Sequence, residues 1–196
     1  ELTLTGKDCG LSERAPMCGI PYHAAETYIN RLIDKGYKVA ICEQVEDPKT
    51  AKGIVKREVT RVVTPGTNLN MQELDEGKNN YLMAIVCVGD HFGVSTADIT
   101  TGDCYVTEID EERKLWDEIN KFLPAEIICN DAFLVSGVDV DDLRNRLHIS
   151  VFALESWYFG DDLAATTLKE HFHVMSLEGL GLGDYENGMI ASGAVL

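Results

Sequence analysis

The chain has 196 residues, of which 45% are hydrophobic, and it carries 17 Lys and Arg against 33 Asp and Glu, a formal net charge of −16 at pH 7. This hydrophobic content can fill one large core or two modest ones, which argues against a disordered protein. No apolar run reaches the ~20 residues of a membrane-spanning helix, and no basic segment followed by an apolar one marks a secretory signal. We therefore expect a cytoplasmic protein with no membrane partner.

Both ends of the sequence look internal to a longer chain. Position 1 is Glu and is followed at once by a strand-like segment, while Leu196 lies within an apolar helical pattern. We therefore expect this chain to be a piece of a longer protein.

Residues 1–67 mix strand and helix patterns. Strands are predicted at residues 2–5, 37–45 and 57–64. A helix begins near Tyr22, and Gly36 is placed to end it. Residues 16–21 contain Pro and Gly and are expected to be ordered but irregular. These features predict a small α/β domain.

The charge balance changes where the sequence becomes polar. Residues 68–80 have no clear period, and they nearly coincide with the point at which the net charge changes from +1 over residues 1–66 to −17 over residues 67–196. This coincidence predicts a first domain at 1–67, a linker at 68–80 and a second domain at 81–196. Because a strongly negative surface repels phosphate, we expect the second domain to contact proteins rather than DNA.

Residues 81–196 open with three strands in series and continue with alternating helices and strands. The strands are predicted at 81–88, 92–99, 104–109, 125–129 and 149–154. The helices are predicted at 111–123, 139–147, 163–172 and 185–196. The chain is therefore predicted to be an α/β protein of two small mixed-sheet domains, and the second has the element order of ribonuclease-H-like folds.

Six cysteines are present, and none forms the C-x-x-C pair that would indicate a zinc site. Cys42, Cys87 and Cys129 lie within apolar, strand-like runs. We expect these three to be buried, reduced thiols.

One function to consider for the second domain is that of a metal-dependent nuclease of ribonuclease-H-like fold. Such nucleases hold two metal ions with several carboxylates. Asp98, Asp103 and Glu108 are available, but the first strand offers no carboxylate. No phosphate-binding G-x-x-x-x-G-K-[ST] loop occurs either. We therefore expect no catalytic residue, metal site or cofactor in this chain. A structural interaction domain without a DNA role is a third possibility.

Basic residues of the first domain cluster in one stretch. They are Lys49, Lys52, Lys56, Arg57 and Arg61, and Glu58 lies among them. The cluster is either a solvated loop and hairpin edge or a contact for phosphate, and charge alone favours the solvated edge.

Two segments are more specific than any of these patterns. The first is PMCGIPYHA at residues 16–24, followed by VAICEQ at 39–44; the second is RVVTPGT at 61–67. Together they closely resemble the N-terminal region of bacterial MutS mismatch-repair proteins. The resemblance continues more loosely through ADITTG at 97–102, PAE at 124–126 and the last predicted helix.

The resemblance implies that the first domain belongs to a reader of mismatched duplex DNA. In the family, a Phe from a Phe-X-Glu motif enters the minor groove and kinks the duplex at the mispaired step, which is cheaper to deform. That motif would lie upstream of Glu1. By position, Met17 corresponds to an apolar residue near the kinked base pair and Lys7 to a basic residue that meets the DNA backbone. Phosphate contacts in the second subunit of the family's dimer would come from Lys56, Arg57 and Arg61.

The resemblance also implies a role for the second domain. It resembles the family's connector, which has a ribonuclease-H-like fold without nuclease function. The connector joins the reader to the lever, clamp and ATPase domains and docks a MutL-type partner. The full-length protein would be a homodimer that binds ATP and Mg²⁺ outside the present chain.

Overall fold

The structure, a computed structural model, describes residues 2–10, 12–68 and 79–196. The chain divides into two compact units, Glu1–Val63 and Thr64–Leu196. This division falls shortly before residue 67, where we predict the end of the first domain. Most of the predicted linker, residues 69–78, lies outside the described residues. Within the described ranges, no helix is long and apolar enough to cross a membrane.

The first unit contains two antiparallel strand pairs and one helix. The pairs are β1 (Leu4–Lys7) with β2 (Ala15–Cys18), and β3 (Val39–Gln44) with β4 (Arg57–Val63). A short 3-10 turn at Tyr22–Ala24 leads into α1 (Ala25–Ile33). Gly36 follows with a φ of 78°, the left-handed conformation in which glycine commonly ends a helix.

The core of the first unit is small. Ile29 and Ile33, one helical turn apart on α1, pack against Val63 of β4. Val39 and Ile41 of β3 are partly buried beside them. The helix therefore covers one face of the β3–β4 pair.

The strand β2 differs from the irregular conformation predicted for residues 16–21. Pro16 lies opposite Gly6 in the β1–β2 pair, and Met17 lies opposite Thr5. A two-stranded sheet tolerates proline because each strand pairs on one side only, so the absent N–H is not needed on the open side. The proline therefore did not interrupt the strand, although the sequence pattern had indicated that it would.

The second unit is built on a five-stranded mixed sheet in the order β7-β6-β5-β8-β9. Its strands are β5 (Tyr81–Val88), β6 (His91–Asp98), β7 (Cys104–Ile109), β8 (Glu126–Cys129) and β9 (Ser150–Ala153). The first three form an antiparallel meander, and β8 and β9 run parallel to β5. This confirms the predicted mixed sheet.

Helices cover both faces of this sheet. They are α2 (Glu112–Phe122), α3 (Asp131–Leu134), α4 (Val140–Asn145), α5 (Asp161–Phe172) and α6 (Glu186–Val195). Alternate residues of β5 enter two cores: Met83 and Ile85 pack in the core that contains α2, while Leu82 and Ala84 pack in the core that contains α6. The continuously apolar sequence of β5 is therefore that of a strand buried on both faces.

One of the three predicted buried thiols is not buried. Cys87 and Cys129 lie in the core of the second unit, as predicted, but Cys42 on β3 is exposed. The β3–β4 pair is covered by α1 on one face, and Cys42 pairs with Val59, which is itself 59% exposed. An apolar sequence neighbourhood therefore predicted burial that a half-covered strand pair does not provide.

Candidate DNA interface and connector contacts

Lys7 and Met17 lie on the same face of the β1–β2 pair. Thr5 is opposite Met17, and Lys7 is opposite Ala15. Because directly opposite residues and residues two apart share a face, Lys7 and Met17 are diagonal neighbours, positions that are typically ~7–8 Å apart. Lys7 is exposed and Met17 is 42% exposed. This strand pair therefore presents a cation beside an apolar side chain, a combination that suits a phosphate next to a base or sugar.

The same strand pair is held together directly beside Met17. The Thr5 hydroxyl donates a hydrogen bond of 2.9 Å to the Met17 carbonyl oxygen. The Cys18 thiol lies 3.6 Å from the Thr3 carbonyl oxygen one position further along. These cross-strand bonds fix the backbone from which the Met17 side chain projects.

A β-bulge separates Arg61 from the other two predicted phosphate contacts. Arg61 lies opposite Ile41 and Val59 lies opposite Cys42, so Thr60 is an extra residue that interrupts the alternation of β4. Arg61 shares a face with Val63, which packs on α1. In agreement, Arg61 Nη1 lies 3.9 Å from Oε1 of Glu26 on α1.

Lys56 and Arg57 remain together at the start of β4. Lys56 Nζ lies 2.5 Å from Glu58 Oε1, and both side chains are more than half exposed. Arg57 Nη1 makes a long contact, 3.5 Å, with the Val55 carbonyl oxygen. An exposed ion pair contributes about 0–1 kcal/mol, so the pairing of Lys56 with Glu58 would be given up for a phosphate at small cost.

Two of the three carboxylates considered for a nuclease, Asp98 and Glu108, have structural roles. Asp98 is 1% exposed, and its Oδ1 accepts hydrogen bonds from the Thr100 N–H (2.8 Å) and hydroxyl (2.6 Å). Glu108 accepts the backbone N–H of Gly188 at the start of α6, at 2.9 Å. Among the residues that the structure describes, no group of three or more His, Cys, Asp and Glu could hold a metal ion. The nuclease alternative is therefore not supported.

The ADITTG segment forms the turn between β6 and β7. Besides its bonds to Thr100, Asp98 accepts the Gly102 N–H on its backbone oxygen at 2.8 Å, and Gly102 has a φ of 79°. The predicted strands at 92–99 and 104–109 leave room for a turn here, but the role of Asp98 was missed. The spacing of an Asp two residues before a Thr is the signal of a side-chain-closed turn and would have identified it.

A contact between two of the recognised motifs was also missed. The Gly66 N–H of the RVVTPGT segment donates to Oε2 of Glu126 in the PAE segment, at 2.9 Å, and Glu126 is 2% exposed. The two residues are 60 positions apart in the chain, so no local pattern could have predicted their contact.

Comparison with known proteins agrees with these segments. The family model described as MutS domain I matches residues 1–72, and that described as MutS domain II matches residues 80–196. The "DNA mismatch repair protein MutS" of Lachnoclostridium phytofermentans is 65% identical over 196 residues, which is all of this chain and 21% of the relative. Those of Ruminiclostridium cellulolyticum and Alkaliphilus metalliredigens are 49% and 47% identical, again over the whole chain and over 22% and 23% of each relative.

The chain thus spans about a fifth of the length of these curated relatives. Both of its parts nevertheless match, in the order in which the two domains are numbered. The chain belongs to the MutS family of DNA mismatch-repair proteins and carries MutS domains I and II.

Proposed function

We propose that this chain is the part of a cytoplasmic mismatch-repair protein that supports the reading of a mispaired step and connects the reader to other domains. The observation that carries the proposal is the shared face of Lys7 and Met17 on the β1–β2 pair. An apolar side chain beside a deformed base step and a cation on the adjoining phosphate are contacts that proteins commonly make to a kinked duplex. Lys56, Arg57 and Arg61 are secondary phosphate contacts within this proposal.

The two units differ in net charge, and we therefore assign them different kinds of partner. The front of the chain, residues 1–66, is nearly neutral, whereas residues 67–196 carry a net charge of −17. Such a surface disfavours DNA and suits a protein partner with a complementary basic patch. We assign to the second unit the docking of a MutL-type protein and the connection to the ATPase domain of a homodimeric full-length protein, in which ATP and Mg²⁺ bind elsewhere.

The test uses the full-length protein with matched and mismatched duplexes. Met17→Ala is expected to lower affinity for the mismatched duplex more than for the matched one, because Met17 is assigned to the deformed step. Lys7→Gln is expected to weaken binding to both duplexes and to reduce the slope of log affinity against log salt by about 0.9, the value for one phosphate contact.

Leu4→Ala is the matched control. Leu4 is 71% exposed and lies on the opposite face of the same strand pair. It should leave both affinities unchanged. Equal losses for Met17→Ala and Leu4→Ala would contradict the proposed interface.

The present chain alone gives a second test. Without the segment that the resemblance places upstream, it should bind duplex DNA weakly, without mismatch preference and with a shallow salt slope. Incubation with labelled duplex and Mg²⁺ or Mn²⁺ should leave the DNA uncut. Tight mismatch-selective binding, or cleavage, by this chain would overturn the assignment.

A further inference from the structure

The RVVTPGT segment ends in a turn that closes on itself. The Thr64 N–H donates to the Thr67 hydroxyl oxygen at 3.0 Å, the two hydroxyl oxygens lie 2.8 Å apart, and the Thr67 N–H donates to the Thr64 carbonyl at 3.2 Å. Pro65 and Gly66 between them are buried. This reciprocal capping makes Thr64–Thr67 a defined structural element rather than a stretch of linker.

A buried carboxylate holds this turn on the sheet of the second unit. Glu126 is the first residue of β8 and pairs in register with Leu82 of β5. Its Oε2 accepts the Gly66 N–H at 2.9 Å, and a Cβ added to Gly66 would lie 3.0 Å from both Glu126 Cβ and Leu82 Cδ1. A buried carboxylate is costly unless it is hydrogen-bonded, and the Gly66 N–H is one donor that Glu126 accepts at this turn.

Asn80 holds the same turn from the other side. Its Nδ2 donates to the Pro65 carbonyl at 3.1 Å and to the Asn68 carbonyl at 3.3 Å, while its backbone N–H lies 3.3 Å from Oδ2 of the buried Asp98. Asn68 comes directly before the 69–78 segment, and Asn80 comes two residues after it. Two residues on either side of this segment are therefore in direct contact on the second unit.

We infer that Glu126 and Asn80 are positioning residues that fasten residues 64–68 to the second unit, so that the covalent joint between the two units is the Val63–Thr64 peptide. This joint lies before the polar 68–80 stretch that composition predicts to be the linker.

The test is amide hydrogen exchange in the 196-residue chain. Ile29→Asp places a charge in the small core of the first unit and should remove protection from the amides of α1 and β3. The Gly66 amide should keep its protection, as the amides of β5 and β8 do. Loss of Gly66 protection together with α1, while β5 and β8 remain protected, would overturn the inference.

Two further variants test the anchoring residues themselves. Glu126→Leu removes the acceptor at similar volume and should speed exchange of the Gly66 amide by about tenfold, the effect of one lost hydrogen bond. Glu126→Gln keeps a carbonyl acceptor and is the matched control, with a smaller effect. Asn80→Ala should also speed Gly66 exchange and covers the case in which Glu126→Leu does not fold. Unchanged Gly66 exchange in Glu126→Leu, or in Asn80→Ala, would refute the role assigned to that residue and with it the proposed joint.

Discussion

Asp98 shows how one buried carboxylate can organise a turn. Its Oδ1 accepts two hydrogen bonds from Thr100, and its Oδ2 faces the Asn80 N–H. Both oxygens are therefore engaged as acceptors, and neither position suits an N–H₂ group. The residue is needed for the architecture of the second unit, and an acid of this kind in a ribonuclease-H-like layout is not by itself evidence of catalysis.

We predict that Asp98→Asn lowers the free energy of unfolding of the second unit by about 1–3 kcal/mol, because one amide N–H₂ must face a donor. Urea unfolding followed by tryptophan fluorescence would measure this. Asp103→Asn is the control, since Asp103 is exposed and its carboxylate accepts from the Thr101 hydroxyl, which can reorient. Equal stability of the two variants would contradict the role assigned to Asp98.

Thiol chemistry offers a second prediction at this scale. Burial, with a smaller contribution from the Asp131 carboxylate, raises the pKa of Cys129 to about 12. Burial also raises the pKa of Cys87. A raised pKa leaves less thiolate near neutral pH, and the thiolate is the reactive form.

Alkylation at pH 8 should therefore modify the exposed Cys9, Cys18 and Cys42 quickly and Cys129 and Cys87 slowly. Peptide mass spectrometry over time would give the rates. Unfolding in denaturant should bring the rates together. Fast modification of Cys129 in the folded chain would show that its side of the core opens readily.

At the level of secondary-structure elements, the main feature is the close packing of α6 on the sheet. A Cβ added to Gly93 on β6 would collide with the backbone of Asn187, and one added to Gly188 would lie 2.8 Å from Val106 Cγ2 on β7. The N–H of Gly188 is accepted by Glu108. Glycine on both surfaces thus brings the start of this helix against the strands, where a neighbouring side chain satisfies its backbone.

We expect Gly93→Ala to reduce the free energy of unfolding of the second unit by about 1–3 kcal/mol or more. This is the usual cost of overpacking, and the added Cβ would meet backbone atoms, which cannot move aside as a flexible side chain can. Thermal or urea unfolding measures the change. Gly179→Ala is matched as a control because nothing lies within 4 Å of its added Cβ; its effect should stay within about 0.5 kcal/mol. A neutral Gly93→Ala would mean that α6 is farther from β6 than described.

Long elements with strong patterns were predictable, and short or long-range features were not. β5 and β7 have the bounds expected from their apolar and alternating sequences, Tyr81–Val88 and Cys104–Ile109. The four-residue α3 was missed because it is too short to show a helical period. At the candidate interface, Lys7 and Met17 were found through resemblance, but their common face depends on the β1–β2 register. The bulge that turns Arg61 towards α1 depends on pairing with β3, which no pattern within β4 reveals.

At the scale of the whole molecule, the two units differ in the size of their cores. Among the described residues, three are buried in the apolar cluster of the first unit, Ile29, Ile33 and Val63, whereas the cluster on the α2 face of the second unit alone contains fifteen. Since stabilisation scales with buried apolar area, the first unit of this chain should be much the less stable of the two.

Urea should therefore unfold this chain in two steps, with the first unit opening at the lower concentration. Both tryptophans, Trp116 and Trp157, lie in the second unit, so tryptophan fluorescence reports that unit alone. The exchange of α1 amides should report the first step, and fluorescence should change only in the second. A single coincident transition by both probes would show that the units unfold as one.

The extra residue in β4 divides that strand into two stretches with different freedom to vary. Beyond Thr60, Val63 is committed to the helix-covered side, and its replacement would disturb packing. Before it, Glu58 and Val59 are exposed, and a change of either side chain would not reach the interior. Evolutionary divergence among relatives should accordingly be greater at Glu58 and Val59 than at Val63, whose side chain is held in the interior.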